Sequence, residues 1–403
     1  MIKKTISDVD SDGLQGRTVI VRADLNVPLD NGAISDDQRI RASLPTLQVL
    51  TDAGARVILL SHLGRPRGQV NPTFSLAPVA VRLNELLEPP VHFVPHTDGA
   101  AAAGALEDIG DGEIAILENT RFEAGESANA PELARSWAAL GDLFVNDAFG
   151  TAHRAHASTA GLADAMRAKG GEAVAGFLMA TELEFLEEAL RAPERPFVAI
   201  VGGAKISSKI GVISALLPRV DRLLIGGAMA NTFFRALGLD TGDSLVEEDS
   251  IGVARDLLAT GGDRLVLPVD CTVANEIADD AECRAVDRTG VKPGEKILDV
   301  GPRTRVLFAD LVGRAKTIVW NGPMGVFEID AFAEGTMDIA HAVAGACDAG
   351  AIGILGGGDS AAAAERADVV DRLTHVSTGG GASLELLAGA ELPGVNALTD
   401  RSA

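Results

Sequence analysis

Arginines and histidines gather at a few places in this chain, and each place follows a short β-branched run. Arg22-Ala-Asp24-Leu-Asn26-Val-Pro28 follows 18–21, and Ser61-His62-Leu-Gly64-Arg65-Pro66 follows 57–60. Glu118-Asn119-Thr-Arg121-Phe122 follows 114–117. Asn146-Asp147-Ala-Phe149-Gly150-Thr-Ala-His153-Arg154-Ala-His156 follows 143–145, and Arg39 opens the first helical stretch. One surface arginine is usually a solvated or salt-bridged rim residue. Four at strand ends, with Arg39, His62, His153 and His156 beside them, read as forks converging on a small polyanion. Guanidinium pairs with carboxylate and phosphate in bidentate fashion. Asp24 and Asn26 would orient a hydroxyl or hold an arginine. The first half is therefore expected to bind a small phosphorylated acid.

In the second half, glycines occupy the equivalent places. Gly202-Gly203-Ala204-Lys205-Ile-Ser-Ser208-Lys209 follows 197–201, and Gly226-Gly227 follows 222–225. Asn321-Gly322-Pro323-Met-Gly325-Val-Phe-Glu328 follows 317–320. Gly356-Gly357-Gly358-Asp359-Ser360 follows 352–355, and Ser377-Thr-Gly379-Gly380-Gly381-Ala-Ser383 follows 374–376. Glycine lets backbone N–H groups approach phosphate oxygens, and a helix start favours the anion. Only eight lysines occur in the chain, so the pair at 205 and 209 stands out. Spaced i, i+4 at a predicted helix start over 207–217, both would point at one phosphate chain. Asp359 is placed to meet a magnesium ion bridging phosphates, and Glu328 to take ribose hydroxyls. No Walker A sequence is present. Gly356-x-Gly358-x-x-Ala361 satisfies the dinucleotide pattern G-x-G-x-x-G/A, a weak signal by itself, and Asp359 inside it suits a metal-nucleotide better than NAD.

The elements that must position these loops alternate, short strand and longer helix, from end to end. Near-continuous apolar strands separated by helices mean parallel sheet covered on both faces. The predicted fold is α/β, two doubly wound parallel-sheet (Rossmann-like) domains joined by a hinge helix. The first domain is expected over 1–180, with 391–403 packing back on it, and the second over 181–390, its linker helix at 181–191. The 403 residues suffice for two such domains. The formal net charge of −22 and 4% aromatic content argue against a broad nucleic-acid footprint, which needs a basic, stacking face. Three scattered cysteines make neither a disulfide framework nor a zinc cluster. No apolar run approaches membrane-spanning length, and polar 7–12 follows the first lysines without an apolar segment. A cytoplasmic monomer with no membrane or nucleic-acid partner is the expectation.

Taken in order, Arg22-x-Asp24-x-Asn26-Val-Pro28, Ser61-His-Leu-Gly-Arg-Pro66, Asn146 to His156, Gly202-Gly-Ala-Lys205, Trp320-Asn-Gly-Pro323, Gly356-Gly-Gly-Asp359 and Ser377 to Ser383 resemble the phosphoglycerate kinase family over essentially the whole length. The resemblance implies exchange of a phosphoryl group between 1,3-bisphosphoglycerate and ADP, giving 3-phosphoglycerate and ATP with Mg2+. It implies that 3-phosphoglycerate is held by Asp24, Asn26, Arg39, His62, Arg65, Arg121 and Arg154. Nucleotide contacts are implied at Lys205, Asn321, Glu328, Gly357, Gly358, Asp359 and Ser360, with Asp359 at the magnesium. Lys209 and the helix start at Gly379, Gly380 and Gly381 would meet the transferring phosphoryl. Arg39 and Lys205 would be the main charge stabilisers. Two departures stand out: Ser208 replaces a frequent aspartate, putting the orientation of Lys209 in doubt. Ile297 replaces a frequent glycine, putting a backbone contact to the nucleotide in doubt. Rival readings are another acid kinase, an NAD-dependent dehydrogenase and a catalytically silent nucleotide-binding scaffold.

Overall fold

The computed structural model describes residues 3–97 and 99–401, without the side chains of 187–190. The outermost residues of the two expected terminal stretches, 1–2 and 402–403, lie outside the described residues. The chain divides into two compact units: Met1–Glu184 with Glu391–Ala403, and Phe185–Ala390.

The first unit is built on a six-stranded parallel sheet. Its order is Val91–Val94, Ile114–Leu117, Arg56–Leu60, Thr18–Ala23, Leu143–Asp147, Glu172–Ala175. Val19, Ile20 and Val21 are all sealed from solvent, which is why this strand reads as an unbroken apolar run rather than an alternation. Each such side chain contributes ~1.5–3 kcal/mol on burial, so the sheet is a stiff base for the loops above it. Thr18–Ala23 runs beside Arg56–Leu60 on one edge and Leu143–Asp147 on the other. Chain order reverses there, and in an open parallel sheet that is where loops leaving the carboxyl ends splay apart and a crevice is expected. Two sequence expectations are corrected. The strand ending at 145 continues to Asp147, and Glu172–Ala175 is a strand the apolar pattern did not show. That segment is short and alanine-rich, and it becomes a strand by pairing with Leu143–Asp147.

The last residues belong to this unit. Lys4 N–H donates to the Thr399 carbonyl at 2.8 Å, Asn146 Nδ2 to the Gly394 carbonyl at 3.1 Å, and Arg167 to the Ala397 carbonyl at 3.0 Å. A Cβ on Gly394 would approach the Ala152 backbone to 3.0 Å, so this return is closely packed.

The second unit has a six-stranded parallel sheet ordered Leu265–Val266, Arg222–Ile225, Phe197–Val201, Thr317–Asn321, Ile352–Leu355, His375–Val376. Counted along the chain this is 3-2-1-4-5-6, with the reversal between Phe197–Val201 and Thr317–Asn321. A separate antiparallel sheet, Asp270–Ala274 between Arg284–Asp287 and Lys296–Val300, corrects the expectation of parallel strands throughout. Its strands follow one another in the chain but are short and carry Asp270, Arg284, Asp287, Lys296 and Asp299, so no apolar run announces them.

Helix Phe177–Arg191 carries the chain from one unit to the other and starts four residues before the expected 181. Its first N–H groups have acceptors: Phe177 N–H donates to Thr46 Oγ1 at 2.9 Å and Met179 N–H to Asp147 Oδ1 at 3.0 Å. A helix start needs such partners, and these lie far away in sequence.

Candidate active site

In the first unit the crevice has a buried polar floor. Arg22 is fully buried, as are Glu126 and Ser158. Arg22 Nε donates to Ser158 Oγ at 2.9 Å, and the same guanidinium donates to the Ala23 carbonyl and to His62 Nδ1, the latter at 3.0 Å. Ser158 donates in turn to Glu126, through Oγ at 2.5 Å and through its backbone N–H at 2.8 Å. This corrects the sequence reading of Arg22 as one of four forks offered to a ligand. It sits one layer below, with Nε, Nη1 and Nη2 each donating to the protein.

Above the floor, Asp24 accepts from Arg39 at 2.7 Å, and its other oxygen lies 3.8 Å from His62 Nδ1. Asn26 Oδ1 accepts the Gly64 N–H at 2.7 Å, tying the loops after Thr18–Ala23 and Arg56–Leu60 together. Arg121 donates to the Gly64 carbonyl at 2.9 Å, while Asn119 braces its backbone N–H at 3.0 Å. Burial, and then the charge of Arg22, lowers Arg121 to about 10. His62 is pushed well below its ordinary value by burial and by Arg22, Arg121 and Arg39. His156 falls to about 4 by burial and by Arg121, Arg22 and Arg154. Both imidazoles are therefore neutral at pH 7. The structure thus places Asp24, Arg39, His62, Arg121 and Arg154 in one electrostatic neighbourhood, whereas Arg65 is exposed and has no part in these bonds. Excess positive charge held around neutral histidines suits an anion with more than one charged end.

In the second unit the crevice is made by backbone. The loops after Phe197–Val201, Arg222–Ile225 and Thr317–Asn321 press main chain on main chain. Gly203 N–H donates to the Pro323 carbonyl at 3.1 Å, and Gly227 N–H to the Met324 carbonyl at 2.9 Å. A Cβ on Gly202 would lie 2.0 Å from the Pro323 oxygen, so only glycine fits. A cavity of about 540 Å³ opens beside them, with Gly203, Asp243, Leu245, Ile297, Glu328 and Asp359 in its wall. Gly357, at φ 95°, turns the chain into helix Gly358–Arg366, which carries Asp359 and Ser360 in its first turn. Ser360 Oγ accepts the Gly322 N–H at 2.7 Å, and Asn321 Nδ2 donates to the Gly356 carbonyl at 2.5 Å. Helix Gly381–Leu387 starts from Gly380 at φ 51°, and Gly379 N–H donates to Ser377 Oγ at 3.1 Å.

The two lysines do not share a helix start. The helix is Ile210–Leu216, three residues later than expected, because the Ile206 carbonyl takes the Lys209 N–H at 2.8 Å in a turn and Glu247 holds Ser207. Lys205 is exposed. Lys209 is half-buried and donates through Nζ to Asn321 Oδ1. Burial lowers it to about 8, with Asp359 pulling the other way. Its Nζ is placed on Asn321 rather than on residue 208, and Ser208 Oγ donates to the Lys205 carbonyl at 2.8 Å. The Ile297 N–H is already committed, donating to Ser244 Oγ at 2.8 Å. Sequence reasoning missed Asp243, Leu245 and Lys296 in the cavity wall. None follows a parallel strand, so the rule used to find the others had no purchase on them. Glu126 and Ser158 were missed because nothing local marks a residue as a buried counter-charge.

The phosphoglycerate kinase family model matches residues 6–390. The chain belongs to the phosphoglycerate kinase family. It is 54% identical to the phosphoglycerate kinase of Chloroflexus aggregans, over 99% of this chain and 100% of that one. It is 50% identical to that of Latilactobacillus sakei over 100% of both. Among solved structures, phosphoglycerate kinase from Coxiella burnetii matches with a TM-score of 0.87 at 42% identity, covering 98% of each chain. Phosphoglycerate kinase from Pyrococcus horikoshii matches at 0.83 and 33% identity, covering 99% of this chain and 98% of that one. The activity is phosphoryl transfer with a carboxyl group as acceptor, by a kinase of phosphoglycerate that uses ATP and ADP. Neither the dehydrogenase nor the silent-scaffold reading is favoured.

Proposed function

We propose that the first crevice holds 3-phosphoglycerate through Asp24, Asn26, Arg39, His62, Arg65, Arg121 and Arg154. The second holds the nucleotide through Lys205, Asn321, Glu328, Gly357, Gly358, Asp359 and Ser360. The observation that carries this reading is the contrast in a chain of net charge −22. One sheet ends in arginines over a buried polar floor, the other in glycines around a cavity with a lysine and an aspartate at its edge. The nucleophile is the carboxylate of 3-phosphoglycerate. It is ionised at pH 7, so no general base is needed. What remains is repulsion between anions and the charge spread over the transferring phosphoryl. Positioning and fixed positive charge meet both.

Arg39 and Lys205 are assigned the largest share of that stabilisation. Lys209 and the N–H groups of Gly379, Gly380 and Gly381 assist. Among the described residues no three His, Cys, Asp or Glu side chains converge as a metal cage. Asp359, at the start of helix Gly358–Arg366 on the cavity wall, fits a magnesium ion held mostly by phosphate oxygens. When bound, that ion would neutralise phosphate charge. Asp359 would orient it, and Asn321 would keep Lys209 turned to the same side. An acyl phosphate hydrolyses in open water, so turnover requires a state in which both ligands share a water-free space. Helix Phe177–Arg191, which contains the unit boundary, is the segment we assign to that motion. Action as a cytoplasmic monomer is part of the same proposal and rests on composition, since a strongly acidic chain stays dispersed.

The test is a coupled assay with 3-phosphoglycerate, magnesium-ATP and glyceraldehyde-3-phosphate dehydrogenase consuming NADH. NADH loss that needs every component and collapses in Lys205→Ala is expected. A folded, ATP-binding protein without turnover would overturn the assignment.

A further inference from the structure

The buried floor of the first crevice decides where the proton of a histidine sits. A guanidinium has five N–H donors and no acceptor. Arg22 reaches His62 Nδ1 at 3.0 Å, so that ring nitrogen must be the acceptor and carry no proton. The only N–H the neutral ring can then have is at Nε2. Among the described residues no protein acceptor is bonded to Nε2, nor is it among the sealed polar atoms without a partner. It is the donor left for a ligand.

Arg22 is held in place from behind. Its Nε donates to Ser158 Oγ at 2.9 Å, and the Ser158 hydroxyl in turn donates a hydrogen bond to Glu126 Oε1 at 2.5 Å. The Ser158 backbone N–H fixes the other carboxylate oxygen at 2.8 Å, and Thr120 Oγ1 lies 3.4 Å from Oε1. Arg22, Glu126 and Ser158 are all fully buried, so the floor carries one positive and one negative charge bridged by a hydroxyl. A bare guanidinium there would be costly, and a hydrogen-bonded counter-charge offsets it. The remaining groups around His62 are Asp24, whose Oδ1 is 3.8 Å from Nδ1, and Arg39, Arg121 and His156.

We infer that Arg22 is a positioning residue: braced by Ser158 and Glu126, it holds His62 as the Nε2–H tautomer and so presents a neutral N–H donor to 3-phosphoglycerate. A doubly protonated imidazole would lose the bond from Arg22 and face it with like charge. The Nδ1–H tautomer would set two donors against each other. Either change would remove the donor at the ligand side or misplace it. This inference rests on the first crevice being the 3-phosphoglycerate site.

The test reads the proton directly. Long-range 1H–15N correlation spectra of the 15N-labelled full chain at pH 7.5 separate the ring nitrogens of the seven histidines, with His62→Asn assigning the signal of interest. A single Nε2–H tautomer is expected for His62. In Arg22→Met both tautomers should appear, and KM for 3-phosphoglycerate should rise about tenfold, as for loss of a charge-assisted hydrogen bond. KM for magnesium-ATP should stay within about twofold, since the nucleotide groups lie on the other unit. Ser158→Ala removes the brace without leaving Glu126 unbalanced, and should show the same changes in smaller degree should Arg22→Met not fold. A wild-type His62 protonated at Nδ1, or at both nitrogens, overturns the inference. So do unchanged His62 signals in Arg22→Met or Ser158→Ala, and so does a rise in both KM values together. Wild-type turnover in the coupled assay judges the site reading separately, and the spectra are read whether or not it is seen.

Discussion

At the carboxyl ends of the first sheet the working groups are side chains, and at those of the second they are mostly main chain. On the proposed reading the first crevice needs forks arriving from several strands, because a short acid with two anionic ends is gripped by shape and charge together. Those groups need fixing, so the unit builds a second layer in which Arg22, backed by Ser158 and Glu126, holds His62 and Asn119 holds the backbone of Arg121. The second crevice gains rigidity from glycine loops pressed together, with Gly203, Gly227 and Pro323 locked by backbone bonds. Its side chains, Lys209 on Asn321 and Ser360 on Gly322, add few charges. A phosphate chain can be met by N–H groups if the backbone comes close, and a side chain at those positions would block the approach. Charge is therefore stored in side chains in one unit and in main-chain dipoles in the other.

Removing a main charge stabiliser from either side should have the largest effect. Arg39→Ala and Lys205→Ala are each expected to lower kcat by about 10²–10³ while leaving the circular dichroism spectrum unchanged. A loss under tenfold at saturating substrates would remove that residue from its role. Next, the two crevices should separate in KM. Arg121→Ala should raise KM for 3-phosphoglycerate about tenfold and spare magnesium-ATP, and Glu328→Ala should do the reverse. Parallel changes in both constants would erase the division of labour.

A smaller effect lies in stability. Burial raises Asp147 to about 6 in the first unit and Asp299 to about 7 in the second. Between the ordinary carboxylate range and those values the folded chain keeps a proton that the unfolded chain has lost. Stability is thus greatest below that window, falls as pH rises through it and levels off above, by at most about 1.4 kcal/mol per pH unit for each group. Melting curves from pH 4.5 to 8 should keep only part of the slope below about 6 in Asp147→Asn, and in Asp299→Asn should lose the other part together with the slope between about 6 and 7. The smallest effect concerns Lys209. With the amine held near 8, kcat/KM should decline as pH rises through that value, and Lys209→Arg should flatten the decline. An alkaline limb unchanged in Lys209→Arg would assign it to another group.

The alternation of apolar strands with helices, and the glycines and cations directly after them, could be read from the residues. Each depends on its own neighbours: a strand covered on both faces must be apolar throughout, and a loop at a helix start must have room for an anion. The seven motifs lie in such loops, so the family was legible too. What could not be read depends on contacts between distant residues. The antiparallel sheet from 270 to 300 exists by pairing, and Glu172–Ala175 is a strand through its neighbour Leu143–Asp147. The lysines at 205 and 209 are four apart, yet Glu247 and Asn321 send them to different surroundings. Arg22 stands among the same motif residues as Asp24 and Asn26, and nothing in its spacing tells a ligand fork from a buried brace. Sequence alone determined which groups reach the sheet ends, because strand periodicity and loop chemistry are local. Only the tertiary structure decided which of them are buried on protein partners, which stay exposed and in what protonation state, because burial and partner charges are set by the whole fold.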